Sequence, residues 1–117
     1  MYNLTQLIGR LTDNPEVKVL ENNKKVCNIR LAVQRTYKNA EGVYEADFID
    51  VTLWEALAER MSEYCHKGDL IAVRGQIRSN TYEKEDGTKA YSLNVIGDKL
   101  LFLSTKNVER PDNEVER

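Results

Sequence analysis

Residues 25–35 alternate between apolar and polar positions. Cys27, Ile29, Leu31 and Val33 fall on one side of an extended chain and Asn28, Arg30 and Gln34 on the other, the pattern of a half-buried strand. Residues 46–54 repeat it with Ile49, Val51 and Leu53 facing in, and residues 70–82 with Ile71, Val73 and Ile77. Residues 4–11 and 91–102 are further apolar strands, the second interrupted by a bulge near Gly97-Asp98. Between 54 and 70 the period changes. Leu57, Met61, Tyr64 and the pair Ala58/Cys65 recur at three- and four-residue spacing, with Glu55, Glu59, Arg60 and Glu63 between them, which predicts one helix over 55–65. His66-Lys67-Gly68 closes that helix, the basic residues complementing its dipole and Gly68 suiting a left-handed cap. Asn22-Asn23 and Asp86-Gly87 signal turns between strands.

The predicted order is strand, strand, strand, helix, strand, strand. An all-β chain with one helix between the third and fourth strands has the layout of an OB-fold, a five-stranded Greek-key barrel. The strands alone leave other small barrels open, and the helix position favours this one. A chain of 117 residues fits one domain, expected over 1–105, followed by a short, acidic and flexible tail at 106–117.

Strand parity sends large aromatics outward. With Ile49, Val51 and Leu53 in the core, Phe48, Asp50, Thr52 and Trp54 point the other way, and the same reasoning turns Arg74, Gln76, Arg78, Asn80 and Tyr82 outward. Burying Phe48 or Trp54 would stabilise the domain by about 1.5–3 kcal/mol each, so an exposed pair calls for a cover. A partner protein supplies one kind. Stacked bases supply another, at roughly 1–3 kcal/mol per base and without regard to sequence, while neighbouring basic residues track the phosphates. Tyr37, Lys38, Tyr44, Lys84 and Lys89 lie in or beside loops that extend such a surface. Ordinary roles also stand open: Phe48 and Trp54 in an oligomer interface, Tyr37 as a loop aromatic, and Arg10, Arg74 and Arg78 solvating a sheet.

Net charge is −2, against a polyanionic partner at first sight. Residues 107–117 carry that whole excess, through Glu109, Asp112, Glu114 and Glu116 against Arg110 and Arg117, so the rest of the chain is neutral. A neutral body binds a polyanion if its bases gather on one face. Cys27 and Cys65 are isolated among apolar residues, which suggests buried free thiols. No stretch approaches the roughly 20 apolar residues of a membrane span, and the first residues lack the build of a signal peptide, so a cytoplasmic location is expected. Catalysis is not expected. Asp47 and Asp50 point to opposite strand faces and cannot share a metal ion, His66 lacks further ligands at compatible spacing beside the cysteines, and no Gly-x-x-x-x-Gly-Lys loop is present. No cofactor is implied.

Several runs of sequence resemble bacterial single-stranded DNA-binding proteins: Gly9-Arg10-Leu11-Thr12-Asp13-Asn14-Pro15-Glu16, Asn28 to Arg35, Glu45-Ala46-Asp47-Phe48-Ile49-Asp50-Val51, Trp54 with the helix ending Tyr64-Cys65-His66-Lys67-Gly68, and Gly75-Gln76-Ile77-Arg78. The resemblance runs in order from residue 1 to about 103. It implies an OB-fold, a homotetramer (with a dimer as the other assembly open), and nucleoid-associated service in DNA replication, recombination and repair. It implies base stacking on Tyr37, Phe48, Trp54 and Tyr82. Phosphate contacts are expected at Arg10, Arg35, Arg74 and Arg78, extended by Lys38 and Lys84.

The chain departs from that pattern in charge. Glu55-Ala56 follow Trp54 where the family often carries a base, Asp50 stands between Phe48 and Trp54, and Asn80-Thr81 occupy a commonly basic stretch. Weaker binding or a shorter occupied site is expected. The final Arg110 to Arg117 run is acidic but lacks the closing aromatic through which the family recruits replication and repair proteins; a shortened chain and a variant without that motif both fit. The rival reading is an OB-fold scaffold for protein contacts, of primosomal type, that binds DNA weakly as a dimer.

Overall fold

The computed structural model describes residues 1–104, so the expected tail lies outside the described residues. In chain order it has β1 (Thr5–Leu11), β2 (Val17–Val19), β3 (Lys25–Lys38), β4 (Tyr44–Trp54), α1 (Ala56–Tyr64), β5 (Leu70–Glu83) and β6 (Lys89–Ser104). Hydrogen-bonded neighbours run β1-β5-β6-β4-β3, and β1 also pairs with β3, closing five strands into a barrel. The β4–β6 ladder is parallel and the others antiparallel. This is the OB-fold layout. β2 is a three-residue ribbon on β3, too short to announce itself by alternation, and it moves the helix to a place between the fourth and fifth strands in chain order. The segments flanking the helix are the ones expected.

Inward positions of the strands make the core. Leu11, Cys27, Ile29, Leu31, Val51, Leu53, Ile71 and Val73 pack with Ala58, Met61 and Cys65, which α1 and its C-terminal end press against the barrel. Full burial stabilises each large side chain among them by about 1.5–3 kcal/mol. Among the described residues no helix is long and apolar enough to cross a membrane.

Three local features differ from the alternation. Ile77, expected inside, is 44% exposed: it lies opposite Val95, where the β4–β6 pairing begins, and past it β5 and β6 leave the barrel as a two-stranded arm, with residues 77–83 all exposed. The bend has a visible cause. The ladder shifts register between Arg74, opposite Lys99, and Gly75, opposite Gly97, leaving Asp98 as the extra residue of a bulge. A side chain at Gly75 would sit 2.0 Å from the Ile96 carbonyl oxygen, so the backbones meet there only because the residue is glycine. Thr52, expected outside, is instead buried, held by hydrogen bonds to Asn28 and Asn94. Gly68 is left-handed at φ 92°, but in the turn after the helix. The helix itself ends at Tyr64, with Cys65 already extended.

Candidate nucleic-acid interface

Phe48 and Trp54 stand on the outer face of β4, 63% and 38% exposed. Trp54 lies opposite Val26 and Phe48 opposite Ala32 on β3. Ala32 in turn lies opposite Arg10 on β1. Arg10, Ala32 and Phe48 therefore form a row about 10 Å wide across three strands, in which the small Ala32 leaves the phenyl face open. Arg10 Nη1 donates to the Gly68 carbonyl at 3.0 Å, which holds the guanidinium at the barrel surface.

Polar residues fill the space between the two rings. Arg30 Nε donates to Asp50 Oδ1 at 2.8 Å, directly across the β3–β4 ladder. Next along, Thr52 Oγ1 donates to Asn28 Oδ1 and accepts from Asn94 Nδ2, both at 2.8 Å, tying three strands together. These residues line a groove of about 550 Å³, with Asn80 and Ser92 of the β5–β6 arm on its far wall. Arg78 borders the adjoining hollow beside Trp54. Tyr82, 53% exposed, follows Arg78 and Asn80 at alternate positions of β5, so its ring continues their face along the arm.

Other candidates lie elsewhere. Arg35 lies beside the Val33–Asp47 pair, on the face opposite Phe48, where Nη2 reaches Asp47 at 2.8 Å and Nη1 reaches Glu45 at 3.1 Å. That pairing raises the Arg35 pKa further and holds the Asp47 carboxyl below its ordinary value. Arg74 is bound to Asp98 at 3.0 Å on the β1–β5–β6 side, beside Ile8 and Leu101 and away from Trp54. Lys38 lies over the Tyr44 ring at 5.6 Å, at the end of the β3–β4 hairpin where Tyr37 is 62% exposed. Lys84 sits at the tip of the β5–β6 arm, in a turn closed by its own N–H to the Thr88 carbonyl. The face thus gathers Arg10, Phe48, Trp54, Arg78 and Tyr82, and leaves out Arg35 and Arg74.

Asp47 and Asp50 are bound to different arginines on different faces. Among the described residues no three His, Cys, Asp or Glu side chains come together as metal ligands. Cys27 and Cys65 are free and buried, and burial pushes the Cys65 thiol up to about 11.

Residues 2–103 match the model of the single-strand binding protein family. The chain belongs to that family. It is 39% identical over 110 residues to single-stranded DNA-binding protein B of Bacillus subtilis, covering 94% of this chain and 97% of that protein. It is 44% identical over 103 residues to single-stranded DNA-binding protein 1 of Clostridium acetobutylicum, covering 86% and 92%. Single-stranded DNA-binding protein 1 of Staphylococcus aureus is 39% identical over 114 residues, covering 97% and 72%.

As a family member the chain has two features that strand parity did not reveal. The Asn28–Thr52–Asn94 network has a faint sequence signal, polar residues at outward positions on three separate strands, but only the ladders place them side by side. The second is Glu55, which turns β4 into α1 with φ 54° and ψ −121° and without a side-chain capping bond.

Proposed function

We propose that this chain binds single-stranded DNA by stacking bases on Phe48, Trp54 and Tyr82, with Tyr37 extending the path. The observation that carries this reading is the exposure of Phe48 and Trp54 on one face of β4, with Asp50 and Thr52 of a polar groove between them on the strand. Stacking of roughly 1–3 kcal/mol per base supplies most of the affinity and accepts any sequence. Arg10, Arg78 and Lys84 contact phosphates; Arg35, Lys38 and Arg74 do so only by leaving their present partners. The names of the relatives support the same reading, and a service in replication, recombination and repair in the cytoplasm goes with it.

Self-association belongs to the same reading. Ile8, Leu101 and Leu103 are exposed on the β1–β5–β6 side, an apolar surface that a homotetramer covers. Light scattering separates tetramer from dimer. Titration with oligo(dT) while following Trp54 fluorescence tests the binding itself. Strong saturable quenching at low salt, with much weaker binding to duplex, is the expected result. Absence of quenching and of saturation would leave the protein-scaffold reading in its place.

A further inference from the structure

The groove between Phe48 and Trp54 is polar where the stacking surfaces are apolar. Along β4 the two rings are about 20 Å apart by strand rise, so a DNA strand stacked on both must cross it. Its walls include Asn28, Arg30, Asp50, Thr52 and Asn94, with Asp13 of the β1–β2 loop also lining it. A carboxylate standing in the path of a polyanion costs phosphate affinity, but the same carboxylate is an acceptor for a base edge. Asp50 uses Oδ1 for Arg30 Nε and has its side chain 59% exposed. Among the described residues no other hydrogen bond to the Asp50 carboxylate or from the Arg30 guanidinium is formed, so one carboxylate oxygen and the Nη donors stand side by side at the groove. The amide of Asn94 is also half used: Nδ2 donates to Thr52, while the buried Oδ1 has no donor among the described residues.

From this pairing of acceptor and donor we infer that the groove is a base-edge subsite that prefers cytosine over the other pyrimidines. The exocyclic N4 amine of cytosine donates to the Asp50 carboxylate, the acceptor it matches in ordinary base recognition. The neighbouring N3 and O2 atoms accept from the Arg30 guanidinium. Uracil and thymine place a carbonyl oxygen where the amine would be, against a carboxylate that can only accept. The subsite rests on the single-stranded DNA reading and adds a compositional preference to it, because stacking on Phe48 and Trp54 remains open to every base.

The test compares oligo(dC), oligo(dU) and oligo(dT) of one length at fixed salt and pH 8, where cytosine N3 is unprotonated. The expected result is roughly tenfold tighter binding of oligo(dC) than of oligo(dU), the scale of one good base-edge contact. Oligo(dU) removes the thymine methyl group as a cause. In Asp50→Asn the dC/dU ratio should fall to within about twofold, even if all affinities rise with the lost negative charge. Asp47→Asn removes the same charge from the opposite face and should leave the ratio intact. Equal binding of all three oligonucleotides, or a ratio unchanged in Asp50→Asn, overturns the subsite and leaves DNA binding standing. Failure to bind any of them overturns the binding reading itself.

Discussion

The backbone N–H of Glu55 donates to the Lys25 carbonyl at 2.9 Å, and the chain adopts φ 54° at Glu55 to make the turn from β4 into α1. With ψ at −121° the residue lies in a region that glycine enters freely and a side chain enters under strain. Such strain costs of order 1–3 kcal/mol, of which the entropy of a glycine gives back 0.5–1 kcal/mol. Glu55→Gly is therefore expected to stabilise the domain by about 1 kcal/mol net of that entropy, read as a raised urea midpoint at unchanged slope. Glu55→Ala, which keeps the Cβ, should show no such gain. Equal behaviour of the two variants would locate the effect in the lost charge.

Thr52 is the middle of a three-strand relay, donating to Asn28 and accepting from Asn94. Thr52→Val keeps the shape and removes both bonds, leaving the half-buried Asn94 amide without a partner. Destabilisation by about 1–3 kcal/mol is expected in denaturant unfolding. Thr52→Ser, which keeps the hydroxyl, should recover most of it. A stable valine variant would mean that solvent reaches the Asn94 amide as it already reaches Asn28.

Parity along β4 placed Phe48 and Trp54 correctly on the outer face because that strand runs straight against β3 for most of its length. The same rule failed at Ile77, where the bulge at Asp98 carries the paired strands out of the barrel. It failed at Thr52 for a different reason: an outward side chain becomes buried when neighbours on two other strands close over it. Alternation along one strand carries no information about either event. Charge reading was partly legible in the same way. Asp50 and Glu55 were visible as acidic intruders, but the capture of Arg35 by Asp47 and Glu45, and of Arg74 by Asp98, depends on ladder register.

Those ion pairs set an expected salt dependence. Of the proposed phosphate contacts, Arg10, Arg78 and Lys84 are held by neither a carboxylate nor an aromatic ring among the described residues, whereas Lys38 lies over Tyr44. Three contacts at about −0.7 each give a slope of log K against log salt near −2 per protomer for single strands. Arg78→Ala should make that slope shallower by about 0.7. Arg74→Ala, on the other side of the barrel, should change neither slope nor affinity beyond about twofold. A steep slope, or a large loss in the Arg74 variant, would show that the pairs open on binding.

The buried thiols make the domain sensitive to alkali. Cys65 is 1% exposed, and burial, with Asp69 adding to it, moves its pKa from 9.0 to about 11. The Cys27 pKa is raised too, again chiefly by burial. Well below pH 9.0 each thiol is protonated in both folded and unfolded chains, so pH has no leverage through them. As pH rises from there, the unfolded thiols ionise while the folded Cys65 thiol holds its proton to about 11, so the unfolded state gains and stability falls. Urea midpoints measured between pH 8 and pH 10.5 should decline, and the decline should be smaller in a Cys27→Ala/Cys65→Ala double variant, which carries the same tyrosines and lysines. Parallel pH curves for the two proteins would assign the alkaline loss to those other groups. Thiol reagents give an independent reading. With the thiolate suppressed and the sulfur covered, both cysteines should react only at the rate at which the barrel opens.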